Sequence, residues 1–383
     1  MRALCLSWLI ALAPLSPARA QAEPLPSLEP SVALVLANYG QLVHATYADT
    51  LARALALRGA VTRFLAAPTA DSLAAARHAW LHARERYAQT EAFRFYGGPI
   101  DGATGHEPRI NAWPVDESFI EGLIARAGEA PLSKAALAAM NQRDGEENVA
   151  TGWHAIEYLL WGEDRSETGP GDRSHTDYLP GAAPHAVQRA RYLRLVTDLL
   201  VEDLREVTGA WAPGARNYRR AFEHEGLASV RKIVLGLGML SRAELAGERM
   251  EVALASQDQE DEQSCFSDNT HRDLAGNAEG IEAVWRGRYV ADDGRVLQGP
   301  SLRELVAARD PRLADRLSAQ ITASVSAIAA LQPPFDREIV GPRDAPGRLR
   351  VRHAIDSVIA QAAGLVDSAR VLGLQPLNGS RLP

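Results

Sequence analysis

The sequence predicts an all-α protein of two helical-bundle domains, with at most one small β-hairpin. Three observations predict it. Apolar residues recur every three to four positions over long stretches, the spacing of one helix face. Runs with strand-like alternation are few. A break at Ala212-Pro213-Gly214 falls near mid-chain between two long helical patterns. The chain has 383 residues, more than one compact core usually organises, which favours domains over 31–211 and 215–375. With 46% hydrophobic and 23% charged residues it has the composition of an ordinary globular protein. Its net charge of −7 supplies no basic excess of the kind that nucleic-acid binding requires.

The first 20 residues read as a secretory signal. Arg2 gives a positive start, residues 4–15 an apolar stretch, and Ala18-Arg19-Ala20 a small-x-small cleavage site. The apolar stretch falls short of the roughly 20 residues that span a bilayer, so no transmembrane segment is expected. Cleavage removes Cys5 and leaves Cys265 alone, which excludes a disulfide within one mature chain. The expected location is the periplasm, with outer-membrane association as the alternative.

The elements follow in order. Val32, Val35, Leu36, Tyr39, Val43 and Tyr47 share a face of a helix that runs to about residue 64, and Pro68 ends it. Thr69 or Asp71 caps a second helix reaching to about residue 95, where Gly97-Gly98-Pro99 stops it. Residues 100–118, with Gly102, Gly105, Pro108 and Pro114, read as a long structured loop, a kind of segment that often carries function. Helices are expected over 134–141, 149–160, 185–207, 218–256, 311–331 and 349–372. Asp310-Pro311 supplies a cap and a proline in the first turn of one of them. Tyr289-Val290 and Val296-Leu297, flanking Asp292-Asp293-Gly294, form the hairpin candidate. Ile156-Glu157-Tyr158-Leu159-Leu160-Trp161-Gly162 is weakly echoed by Ile281-Glu282-Ala283-Val284-Trp285-Arg286-Gly287, which hints at an internal repeat.

Three constellations could carry chemistry. Gly152-Trp153-His154-Ala155-Ile156-Glu157 is a G-x-H-x-x-E on a helix, and its spacing puts His154 and Glu157 on one face. Imidazole with carboxylate suits iron or zinc better than calcium. Gly152 at the helix start permits a close approach by backbone or ligand. The plain alternative is an ordinary hydrogen bond between His154 and Glu157. On the 73–95 helix, Trp80, Arg84, Tyr87, Glu91 and Arg94 form one stripe in which aromatics alternate with charges. Buried charges must be paired or bind an ion, so Glu91 could ligate a metal while Arg84 and Arg94 orient carboxylates. An exposed Glu91–Arg94 ion pair is the alternative. The third constellation, residues 258–273, gathers acidic residues with Cys265 and His271. There a solvated charge run, with Cys265 as a small buried apolar group, is the alternative. Zinc-protease H-E-x-x-H helices, G-x-S-x-G elbows, phosphate loops and dinucleotide fingerprints are absent from the sequence.

Residues 152–162 resemble the G-x-H-x-x-E segment of the imelysin-like family. Glu91-Ala92-Phe93-Arg94-Phe95 with Gly98-Pro99-Ile100-Asp101 resembles that family's earlier motif. Cys265-Phe266-Ser267-Asp268-Asn269-Thr270-His271-Arg272-Asp273 resembles its iron-regulated protein A subgroup. The similarity spans about residues 35–375. It implies two helical domains from an ancient duplication, export to the cell envelope and a link to bacterial iron uptake. It also implies a site at the domain interface. Carried over, the resemblance makes His154, Glu157 and Glu91 metal ligands, joined by Glu262 and His271 from the second half. Gly152, Arg84, Arg94, Asp101 and Asp268 would support them. Glu279 stands where a repeat of His154 would fall, which favours one interfacial site over two.

The expected cofactor is a divalent or trivalent metal ion, with iron favoured over zinc. The leading expectation is therefore a metal-binding or sensing envelope protein in iron acquisition, with no catalytic residue assigned. A zinc-type peptidase using the same residues is the first alternative, although no general base is then evident. A scaffold gripping an iron- or haem-transport partner is the second.

Overall fold

The protein is described here by a computed structural model covering residues 28–128, 132–166 and 168–374. The expected signal segment lies outside the described residues, as does residue 375 at the end of the expected second domain. Helix α1 (Glu29–Ala66) leads into α2 (Ala70–Thr90). Thr69 caps α2 through a reciprocal pair of hydrogen bonds with Ser72, which satisfies amides that the helix start leaves open. A 3₁₀ turn, Glu91–Phe93, ends that helix. Short helices follow at α3 (Glu107–Ile110), α4 (Glu117–Arg126) and α5 (Lys134–Met140). The G-x-H-x-x-E segment is α6 (Gly152–Trp161), and α7 (Ala186–Ala210) reaches the mid-chain break.

Beyond it come α8 (Tyr218–His224), α9 (Leu227–Met239), a π-helical stretch Leu240–Glu251 and α10 (Val252–Ser256). Then α11 (Thr270–Arg286) leads into a hairpin of β1 (Arg288–Val290) and β2 (Val296–Gln298), in which Tyr289 pairs with Leu297. The chain closes with α12 (Leu302–Ala307), α13 (Pro311–Ala329), α14 (Asp336–Ile339) and α15 (Pro346–Val371). The fold is all-α with a two-stranded sheet, as the periodicity predicts.

The short helices α12 and α14 were not expected, and three larger features also differ. The 100–118 loop contains α3 and the start of α4, where the Asp116 side chain accepts from the amides of Ser118 and Phe119. The single helix expected over 218–256 breaks at Gly226, which takes a positive φ of 61°, and later widens to π-helical hydrogen bonding. Helix α11 was not expected at all. Leu274, Ala278, Ile281 and Trp285 give it a buried apolar stripe, interleaved with Asp273, Gly276, Asn277 and Gly280, which meet α2.

Those small residues have a structural consequence. A Cβ on Gly276 would lie 2.6 Å from the Ala88 Cβ, and one on Gly280 only 2.3 Å from the Gln89 carbonyl oxygen. Helices α2 and α11 therefore pack backbone against backbone, joining a helix of the first half to one of the second. One continuous apolar core runs from Val32 to Leu374 across the mid-chain break. Each fully buried large apolar side chain contributes roughly 1.5–3 kcal/mol to holding it.

Candidate metal centre at the α2–α6–α11 junction

Helix α6 is buried along its whole length. Its entry is fixed by Gly152, whose φ of +89° and missing Cβ let it sit against α3, since a Cβ would fall 2.5 Å from the Ile110 carbonyl oxygen. The Thr151 hydroxyl donates to the Arg109 carbonyl at 2.9 Å and ties the same junction. From α2 the Trp80 indole donates to the Trp153 carbonyl at 3.0 Å, and the two indoles pack edge to face.

This seating turns His154 and Glu157 into the protein interior, 1% and 0% exposed. His154 Nδ1 lies 2.8 Å from Glu157 Oε2. The other carboxylate oxygen accepts from the Ser267 hydroxyl at 2.6 Å and from the Ser267 amide at 3.0 Å. His154 Nε2 is buried and hydrogen-bonds to no protein atom. Burial, reinforced by the nearby guanidiniums of Arg84 and Arg249, holds the imidazole well below its usual value, so it is neutral at pH 7. Burial also pushes the Glu157 carboxyl up to about 8, against the hydrogen bonds from Ser267. A neutral imidazole with one nitrogen held by a carboxyl group and the other unengaged is the arrangement a metal-ligating histidine adopts once that carboxyl ionises.

Around this pair lies a buried arginine–carboxylate network. Arg84 Nε donates to Asp273 at 2.9 Å across the α2–α11 seam, with both side chains almost wholly buried. Glu91 Oε2 accepts from Arg94 at 2.7 Å and from Arg249 at 2.6 Å. Burial acts to raise the Glu91 carboxyl, but the two guanidiniums outweigh it and hold the group down at about 2. Asn111 bridges the two pairs, accepting from Arg84 and donating to Glu91 Oε1 at 3.4 Å. Asn277 accepts from Arg249 and donates to the Ala88 carbonyl at 3.0 Å. Ser264 and Asn269 donate to Asp273.

The structure brings together only part of the expected set. His154 and Glu157 meet on α6 under the charge of Arg84, with Gly152 at its entry. Glu91 is buried, but its carboxylate is taken up by Arg94, Arg249 and Asn111, so an ion would compete with two guanidiniums for it. The exposed Glu91–Arg94 pair weighed from sequence is a correction, because both partners are buried. Asp101 supports the 3₁₀ turn at one remove, accepting from the amides of Phe95, Tyr96 and Gly98. Glu262 is not among the groups facing the imidazole. It is buried against Asp336, beside a carboxylate group that includes Asp268. His271 is half-buried and donates from Nδ1 to the Asp268 carbonyl at 3.1 Å. Glu279 accepts from Gln89 in an exposed contact. Cys265 is a buried free thiol.

Arg249, Asn111, Asp273, Asn277 and Ser267 were missed as members of this centre. Asp273 and Ser267 did lie in the 258–273 segment. Arg249 gave no signal, since it falls within a helical pattern whose π-helical register only the fold discloses.

Residues 43–365 match the family described as Imelysin. The chain is 30% identical over 329 residues to iron-regulated protein A of Synechococcus elongatus, covering 83% of this chain and 81% of that protein. Among solved structures it is similar to one described as an iron-regulated protein A precursor from Parabacteroides distasonis. The TM-score is 0.71 at 22% identity, over 93% of this chain and 98% of the other. An imelysin-like protein from Psychrobacter arcticum gives 0.66 at 14% identity, over 91% and 98%. At such identities the two structures speak to the fold alone.

Proposed function

Because this chain belongs to the imelysin family, we propose that it is an exported metal-binding protein of the bacterial cell envelope that serves iron uptake, with an ion held at the α6 centre. The observation that carries this reading is His154 Nε2, a buried nitrogen with no protein partner on a ring fixed by Glu157. The donor chemistry fits a metal: His154 would supply Nε2 directly. Glu157 would orient the ring, keep the proton on Nδ1 and carry the balancing negative charge. A nitrogen donor beside a carboxylate suits iron and zinc alike. The iron-regulated protein A of S. elongatus supports the iron assignment by its name.

An ion suits this centre better than a peptide does. With His154 and Glu157 1% and 0% exposed, no face of the pair is open to a polypeptide. The test is titration of the chain and of a His154→Ala, Glu157→Ala double variant with iron(II), iron(III) and zinc(II). About one equivalent should bind to the unmodified protein and be lost in the variant; unchanged binding in the variant would sink the assignment. Chelator-sensitive peptidase activity abolished by Glu157→Ala would replace this reading with the metallopeptidase one.

A further inference from the structure

Away from His154, a second group of acids converges from three separate parts of the chain. Asp164 follows α6, Glu262 and Asp268 lie in the segment between α10 and α11, and Asp336 opens α14. Asp164, Asp268 and Asp336 each offer a carboxylate oxygen, and these oxygens lie within 4.8 Å of one another. Glu262 is 2% exposed and faces Asp336 and Asp268. Neither of its carboxylate oxygens makes a hydrogen bond of acceptable geometry, although Thr270 and Asp336 lie against it. Asp164 is similarly buried, and while its Oδ1 accepts from the Ser166 amide, its Oδ2 has no hydrogen-bond partner.

Ion pairing does not explain the burial of Glu262 and Asp164, neither of which forms a salt bridge among the described residues. The guanidinium acting on Asp268 is that of Arg337, whose side chain is exposed. The four carboxylates repel one another, and the buried oxygens of Glu262 together with Asp164 Oδ2 lack donors, a combination that folding penalises unless a cation or shared protons compensate. Asp268 also holds a left-handed φ of 56°, uncommon for a residue other than glycine, which turns it into the group at a conformational cost.

We propose that Asp164, Glu262, Asp268 and Asp336 form a binding site for a hard divalent cation of the calcium type, separate from the His154 centre. The donors are oxygens only, which excludes the soft-metal preference that imidazole or thiolate would bring. Magnesium keeps several waters and is held by one or two carboxylates, whereas calcium accepts a larger and less regular oxygen set. A surface cleft bounded by Arg165, Glu260 and Arg337 reaches the group at Asp336. The cation would fasten the end of α6 to the 262–268 segment and to α14. Ser267, which holds Glu157 through two hydrogen bonds, is the immediate neighbour of Asp268. Calcium would thereby steady the loop that orients the imelysin centre without entering it.

The test is calorimetric titration of chelator-treated full-length protein with calcium chloride, alongside thermal melts in chelator and in calcium. A saturable single site and a calcium-dependent rise in Tm are expected, with magnesium chloride weaker. Glu262→Gln and Asp336→Asn should each weaken calcium binding by at least about tenfold and melt no lower than the unmodified protein in chelator, because each relieves repulsion. His154→Ala should bind calcium unchanged. The inference is overturned if the unmodified protein shows neither heat nor a Tm rise up to about 10 mM calcium, above the weak extracellular range. It is equally overturned if binding survives in both carboxylate variants or is lost in His154→Ala.

Discussion

Glu91 shows how a single side chain can be decided by its neighbours. Its carboxylate neutralises Arg94 and Arg249 in a space closed to water. Replacing it by glutamine leaves Arg94 only the partly exposed Glu107 and Arg249 only the partly exposed Glu244, so Glu91→Gln should cost up to about 3–5 kcal/mol, read from urea denaturation at pH 7. The pH dependence follows from the same pairs. Glu91 titrates at about 2 in the fold, below the ordinary carboxyl value, so its contribution is full above that ordinary value and is lost as pH falls through about 2. The unmodified protein should therefore lose stability as pH drops from 5 toward 2, and Glu91→Gln should flatten part of that loss. Glu157 behaves oppositely. Its carboxyl is held up at about 8, so it must release a proton to become the charged partner of a metal-bound His154. Metal affinity at the α6 centre should rise with pH, about tenfold per unit below 8, and level off above it. A flat profile between pH 6 and 8 would remove Glu157 from the binding step.

At the level of elements, the α2–α11 seam depends on what is missing from it. Gly276 and Gly280 allow Arg84 to reach Asp273 and Asn277 to reach the Ala88 carbonyl. Gly280→Ala places a Cβ against the Gln89 carbonyl oxygen, a rigid backbone atom, and overpacking of that kind costs about 1–3 kcal/mol. A lowered Tm together with weaker metal binding is expected, because the seam also sets the residues around His154. The π-helical stretch matters in the same way. Such stretches are rare and recur at functional sites, and this one carries the wholly buried Arg249 to Glu91. The α6 entry is a third case: at a φ of +89°, Gly152→Ala meets both a backbone penalty and the Ile110 carbonyl. A loss on the order of 2–4 kcal/mol is expected in equilibrium unfolding.

Across the whole molecule, the core does not divide at residue 212. Helices from both halves bury one continuous set of apolar side chains, and the buried charge network also spans them. The chain should therefore unfold in one calorimetric transition whose van't Hoff and calorimetric enthalpies agree. Two resolved transitions would show that residues 31–211 and 215–375 are independent units despite the shared core.

By itself the sequence determined the fold class, most of the helices, the hairpin and the pairing of His154 with Glu157. Each of these depends on contacts within a few residues, where helical and strand periodicities are written directly into residue order. Gly152 was legible for the same reason, as a glycine at a helix start. Only the tertiary structure decided which distant charges meet. It gave Glu91 to Arg249 and Arg84 to Asp273, while Glu262 and Asp268 went to a carboxylate group with Asp164 and Asp336. Those partners lie tens to hundreds of residues apart, and no local spacing encodes them. They are fixed by helix α11, whose glycine and polar residues meet α2, and by a π-helical register that moves Arg249 onto Glu91.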